Sequence, residues 1–111
     1  MLIPSATPPE AGTTLLYELT GSLASPGVPE FLLIDFELLP LPLELPPFGT
    51  LELALSPLLL LFAGDGSAPF GVSVPPDPTF AGVVTHAQGF AFVFDGQSGS
   101  NRFSNLVSAT L

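Results

Sequence analysis

Apolar and polar residues alternate along much of this chain, and proline and glycine interrupt the alternation at intervals of about ten residues. A period of two places successive side chains on opposite faces of a strand. Thr13 to Thr20 sets Leu15, Tyr17 and Leu19 on one face, with Thr14, Leu16, Glu18 and Thr20 on the other. Glu30 to Leu39 directs Leu32, Ile34, Phe36 and Leu38 inward and Asp35 and Glu37 to water. Thr50 to Ser56 opposes Leu51, Leu53 and Leu55 to Glu52, and Pro69 to Val74 turns Phe70, Val72 and Val74 inward. Gly82 to Asp95 is the longest run, read as one strand with a bulge near Gly89 and with Phe90, Phe92 and Phe94 on one face. Phe103 to Leu111 aligns Val107, Ala109 and Leu111.

Two segments break the pattern. Pro40, Pro42, Pro46 and Pro47 allow only an extended, polyproline-like or edge segment between Leu39 and Phe48. Leu58 to Ala63 is wholly apolar and reads as a strand covered on both sides, or covered by a neighbour. Turns are expected at Gly21-Ser22, Ser25-Pro26-Gly27, Asp65-Gly66 and Gly96 to Asn101. Fourteen prolines and eleven glycines leave little room for a long helix, because proline lacks the N–H donor and its ring clashes with the preceding turn. Without helices there are no crossovers for parallel pairing. The expected fold is therefore all-β: an antiparallel two-sheet sandwich of seven or eight strands, Greek-key or jelly-roll-like, spanning residues 13–111. An extended N-terminal arm, residues 1–12, precedes it.

Composition narrows the partners. Only 10% of the 111 residues are charged, against about 25% in an ordinary domain. Ten carboxylates face a single cation, Arg102, and lysine is absent, giving a net charge of -9. Such a chain repels nucleic-acid phosphates and anionic lipid surfaces, so neither is expected as a partner. No cysteine is present, which removes disulfides and thiolate metal sites. Met1 to Ser5 has neither a basic stretch nor a long apolar run and does not read as a signal peptide. No membrane span is expected, since Leu58 to Ala63 falls far short of the roughly 20 residues a spanning helix needs.

Candidate chemistry is sparse. His86 is the only imidazole, and a serine hydrolase needs one beside a serine and an orienting carboxylate. Asp35 and Glu37, joined across a sheet by Glu18 and Glu52, would supply acid–base pairs, but they also form the polar half of each alternation. Calcium is the one ion this composition would welcome, held weakly at the loop carboxylates Asp65, Asp77 and Asp95. None of these has calcium-loop spacing, and ordinary turn chemistry accounts for each. No catalytic, cofactor or metal residue is therefore assigned, and no enzyme is expected. Gln88 shares the phenylalanine face of its strand and must hydrogen-bond if buried, while Asn105 precedes the last strand and can pin a turn. Both read as architectural.

One set of residues in fixed order stands out: Pro46-Pro47-Phe48-Gly49-Thr50-Leu51, then Asp65-Gly66, Val74-Pro75-Pro76-Asp77-Pro78, Gly82, Gln88 and Ser104-Asn105. In this order the chain resembles an uncharacterised β-sandwich domain found at the C-terminal ends of large secreted proteins of environmental bacteria. The resemblance covers about two-thirds of the chain and implies a sandwich fold, an extracellular or cell-surface location and no catalytic residues. The chain departs from the pattern by standing alone and by its phenylalanine-rich long strand.

Two functions compete. Lysine commonly guards exposed sheet edges against pairing with other chains, and here it is missing. With Leu2 and Ile3 on the arm and Leu16, Phe31 and Leu33 at outward positions, the chain reads as a structural subunit that self-associates, as a homo-oligomer or as a filament or surface layer. The alternative is a monomeric ligand- or carbohydrate-binding or adhesion module appended to a larger secreted protein. The absence of tryptophan and the inward position of Tyr17 weigh against a sugar platform.

Overall fold

The structure, a computed structural model, describes residues 2–4, 12–20, 27–46, 48–66, 68–74, 76, 78–94 and 99–111. Among them ten strands form: β1 (Leu2–Pro4), β2 (Thr14–Leu19), β3 (Glu30–Asp35), β4 (Leu38–Leu45), β5 (Gly49–Leu53), β6 (Leu60–Gly64), β7 (Phe70–Ser73), β8 (Val84–Phe94), β9 (Gly99–Phe103) and β10 (Val107–Thr110). All pairings are antiparallel. A small sheet has the order β1-β2-β7, and a large sheet runs β10-β8-β3-β6 with β9 also on β8. The strands β4 and β5 form a hairpin of their own.

The two sheets enclose a core that contains many of the inward positions of the alternation, although Leu38 and Leu55, also expected inward, are exposed. Leu2, Leu15, Tyr17, Leu19, Phe70 and Val74 come from the small-sheet side, and Leu32, Ile34, Ala87 and Ala91 from the large sheet. The long strand β8 turns its small residues inward and its phenylalanine face outward. Gly89 faces Leu19 so closely that a Cβ there would overlap the leucine Cδ2 and lie 3.1 Å from Cγ. The bulky β2 residues fill the space that small β8 residues vacate, as dense interiors require. Phe90 and Phe92 therefore lie on the outer face of the large sheet, where Phe90 packs against Phe103 with ring centroids 4.7 Å apart.

The β4–β5 hairpin lies over part of this outer face and buries Leu51 and Leu53. The molecule thus has a third, partial layer, and ten strands appear where seven or eight were expected, because Leu2–Pro4 of the expected arm and Gly99–Phe103, which overlaps the expected turn, are strands β1 and β9 and the proline-rich segment is β4. The proline-rich segment is a strand, β4, paired only with β5, and a register shift between Leu38 and Leu43 absorbs Pro40 and Pro42. Proline is tolerated there because an edge strand needs no donor on its outer side.

Three further expectations are corrected. The Leu58–Ala63 run is not covered on both sides: β6 borders only β3 among the described strands, and Leu58, Leu60 and Leu61 are exposed. Asp35 does not face water but is fully buried. Leu2–Pro4 of the expected arm is a strand of the small sheet, in register with Leu19, Glu18 and Tyr17. Residues 5–11, the rest of that arm, lie outside the described residues.

Candidate functional site

The bulge expected near Gly89 exists on the opposite strand. Phe103 faces Phe90 and Val107 faces Ala87, so Ser104, Asn105 and Leu106 stand against only Gln88 and Gly89. The surplus residue makes a joint. Ser104 N donates to Gly89 O (2.8 Å) and Gly89 N to Ser104 Oγ (2.7 Å). Fully buried Gln88 accepts from Glu52 N at Oε1 (2.9 Å) and donates from Nε2 to Thr50 O and Ser104 O (both 3.0 Å). Its amide so replaces one rung of a parallel ladder beside Leu51 and fastens β5 to the large sheet. Asn105 fastens β1 with the two-way exchange of an antiparallel rung, accepting from Leu2 N (2.7 Å) and donating to Leu2 O (3.2 Å). Phe103 N donates to Phe48 O (2.7 Å), and Gly49, at φ 96°, turns the chain with the Phe103 backbone 3.8 Å from where a Cβ would stand. Phe48, Gly49, Thr50, Gln88, Ser104 and Asn105, which carry much of the resemblance, meet at this one joint. Their role is architectural.

His86 has a partner that sequence spacing did not reveal. Its Nδ1 lies 2.7 Å from Ser108 Oγ on β10, and on its other flank Asp35 of β3 is in register with it. The row Ser108–His86–Asp35 has the residue types of a hydrolase triad, but the carboxylate is committed elsewhere. Asp35 Oδ1 accepts from Ser56 Oγ (2.5 Å) and Phe36 N (2.7 Å), and Oδ2 from Ser56 N (2.8 Å). Burial alone would raise the Asp35 pKa. The hydrogen bonds from Ser56, Phe36 and Glu37 outweigh it and hold the carboxyl below its ordinary range. Asp35 is a clamp on the loop after β5, where Leu55 takes the left-handed conformation at φ 56°.

The other carboxylates do not form a centre. Glu18 lies on the outer face of the small sheet and Glu52 on β5 under the joint. Glu30, passed over in the sequence, is buried; desolvation, with Asp65 and Glu18 nearby, pushes its pKa up against a hydrogen bond from the Gly66 backbone. No group of three potential metal ligands gathers among the described residues. Of the loop carboxylates considered for calcium, Asp65 is exposed, while Asp77 and Asp95 lie outside the described residues.

The five residues read as a self-association surface divide three ways. Leu2 is in the core at 1% exposure and supplies no outward contact. Ile3 and Leu16, 43% and 42% exposed, lie on the outer face of the small sheet. Phe31 and Leu33 lie on the opposite side of the molecule, on the outer face of the large sheet. There they line a wholly apolar groove of about 330 Å³ with Leu61, Phe90 and Phe103, walled by Leu51 and Leu55 of the hairpin strand and loop. Period two tells which residues share a strand face; it does not tell which sheet the strand joins. A smaller apolar cavity of about 170 Å³ lies between the sheets, walled by Leu60 and Ile34 on one side and Val72 and Val74 on the other. Tyr17 and Thr85 line it and hydrogen-bond to each other.

No protein-family model matches the chain, nor does a curated protein or a solved structure.

Proposed function

We propose that this chain is a non-enzymatic, extracellular structural module that assembles with copies of itself. The observation that carries the reading is the placement of exposed apolar side chains on two opposite sides of the sandwich. One side offers the groove, with Leu61 exposed and Phe31 and Leu33 half-buried; the other offers exposed Ile3 and Leu16. Apolar surface of this extent marks an interface more often than bare solvent contact. Two different two-fold contacts on opposite sides of one molecule alternate along an open chain, which is the geometry of a filament or a layer. The absence of lysine and the single arginine also deprive trypsin-like proteases of cleavage sites, which suits an extracellular material. A carbohydrate module finds less support, because the single tyrosine is buried and tryptophan is absent.

Sedimentation velocity over a concentration series, with negative-stain imaging, tests the proposal. Assembly that grows with concentration, and that Leu16→Lys halts at a small closed species, is the expected result. A monodisperse monomer at every concentration would sink it.

A further inference from the structure

We infer that β6 is a pairing edge whose occupant is the β6 of a second copy, joined antiparallel across a two-fold axis near Leu61. This pairing presupposes the self-association proposed above and supplies its first contact.

A free strand edge presents N–H and C=O groups that another strand satisfies, and natural sheets blunt such edges with proline, charge, bulges or brevity. Among the described strands, every other edge carries such a device. Strand β1 is three residues long and ends in Pro4. Strand β4 holds Pro40, Pro42 and Glu44. Strand β7 is four residues long, bracketed in the sequence by Pro69 and Pro75. The β9–β10 edge is broken by the bulge at Ser104–Leu106 and bears Arg102, the only cation. Strand β6, five residues long and paired to β3 without a bulge, has no proline or charge within it; Pro57 and Asp65 lie outside the Leu58–Gly64 stretch. From Leu58 to Gly64 the chain reads Leu-Leu-Leu-Leu-Phe-Ala-Gly, without charge or proline, and Leu61 is 63% exposed.

Charge selects the partner strand's direction. Each copy carries a net -9, so two copies must meet where carboxylates are kept apart. Leu58–Gly64 is an uncharged stretch centred on Leu61, and Asp65 follows it directly. Parallel pairing would stack Asp65 on Asp65. Antiparallel pairing about Leu61 puts the two carboxylates at opposite ends of the ladder, roughly 27 Å apart at about 3.4 Å per residue. That is well beyond the screening length of about 8 Å at physiological salt. The groove beside Leu61 then runs from one copy into the other, and the two large sheets become one. The outer edges of the joined sheet are the bulged β9–β10 edges, so growth by this contact stops at two copies.

The chain has no cysteine, so a Leu61→Cys variant carries a single thiol and reports the contact directly. A short bis-maleimide should link two Leu61→Cys chains, while the same reagent on Leu16→Cys should not produce a dimer at concentrations where β6 pairing dominates. Leu61→Lys should weaken dimerisation by about tenfold or more in sedimentation equilibrium, with the fold retained because the side chain is exposed. Raising salt should strengthen the wild-type dimer by screening like charge. A wild type that stays monomeric overturns both this pairing and the proposed function. Assembly that survives Leu61→Lys with no Leu61→Cys linkage overturns the pairing alone. A linked dimer that never grows further sustains the pairing and overturns the filament.

Discussion

Replacing Gln88 by leucine should detach the β4–β5 layer from the large sheet. The side chain is fully buried and makes three hydrogen bonds, to Glu52 N, Thr50 O and Ser104 O. Leucine has nearly the same volume and makes none of them. The Ser104 carbonyl is left in a buried site, which costs about 1–3 kcal/mol. The Thr50 and Glu52 groups are half-buried and reach water by lifting the hairpin strand, at about 0.5–1 kcal/mol each. Improved apolar contact offsets about 1 kcal/mol, leaving a net loss of roughly 1–4 kcal/mol. A domain of this size has about 5–15 kcal/mol in all, so the fold should survive with a lower urea midpoint and a similar slope. Hydrogen exchange gives the local signature: the Glu52 amide should lose more protection than the core amides of β3. A Gln88→Glu variant adds a sign test. Its carboxylate would face two carbonyl oxygens, so its folded pKa lies above the ordinary value of about 4.3. Its stability is then greatest below that value and lost as pH rises through the folded pKa. A Gln88→Leu loss below about 1 kcal/mol, with Glu52 still protected, would refute the side-chain rung.

Two more outcomes follow from burial. Gly89→Ala should cost about 1–3 kcal/mol, because its methyl group overlaps Leu19, and Leu19→Val should recover part of the loss in a double-mutant cycle; additive losses would contradict the close approach. Glu30→Gln should raise the thermal midpoint at pH 7: burial, Asp65 and Glu18 lift the folded pKa, so wild-type stability is present below the ordinary carboxylate pKa and falls as pH rises through the raised value. The difference should vanish near about pH 4, and a variant less stable than wild type at pH 7 would show the buried charge to be better compensated than burial implies.

The alternation made the strands of the sandwich legible, and β2 was readable to the residue: Leu15, Tyr17 and Leu19 are buried and Leu16 and Glu18 exposed. What it withheld was the destination of each face. In β8 the alternation separated two faces without saying which is core, and Ala87, Gly89 and Ala91 face the interior because Leu19 and its neighbours on β2 occupy that space. No property of β8 alone reports the size of the residues opposite. Asp35 shows the same limit for a polar residue. Its place in the alternation says solvent, but Ser56, twenty-one residues on, folds over it and supplies the donors. The missing lysine pointed to edges in general; only the pairing order singled out β6. Gln88 and Asn105 were legible as architecture because a buried amide must find partners, although which strands they bind required the fold.

The Asn105–Leu2 clasp joins residues near opposite ends of the sequence. It closes a loop spanning 103 positions, and loop-closure entropy must be met before the contact is made. A chain that emerges from its N-terminus holds Leu2 without this partner until residue 105 has appeared. By then the β3–β6 ladder, whose farthest pair spans 34 positions (Glu30 with Gly64), has had its components available far longer. Short-range pairings form first, so β6 is presented to neighbouring chains while the small sheet is still incomplete. On the β6 pairing inferred above, nascent copies emerging side by side would meet through their edges before either had closed its ends.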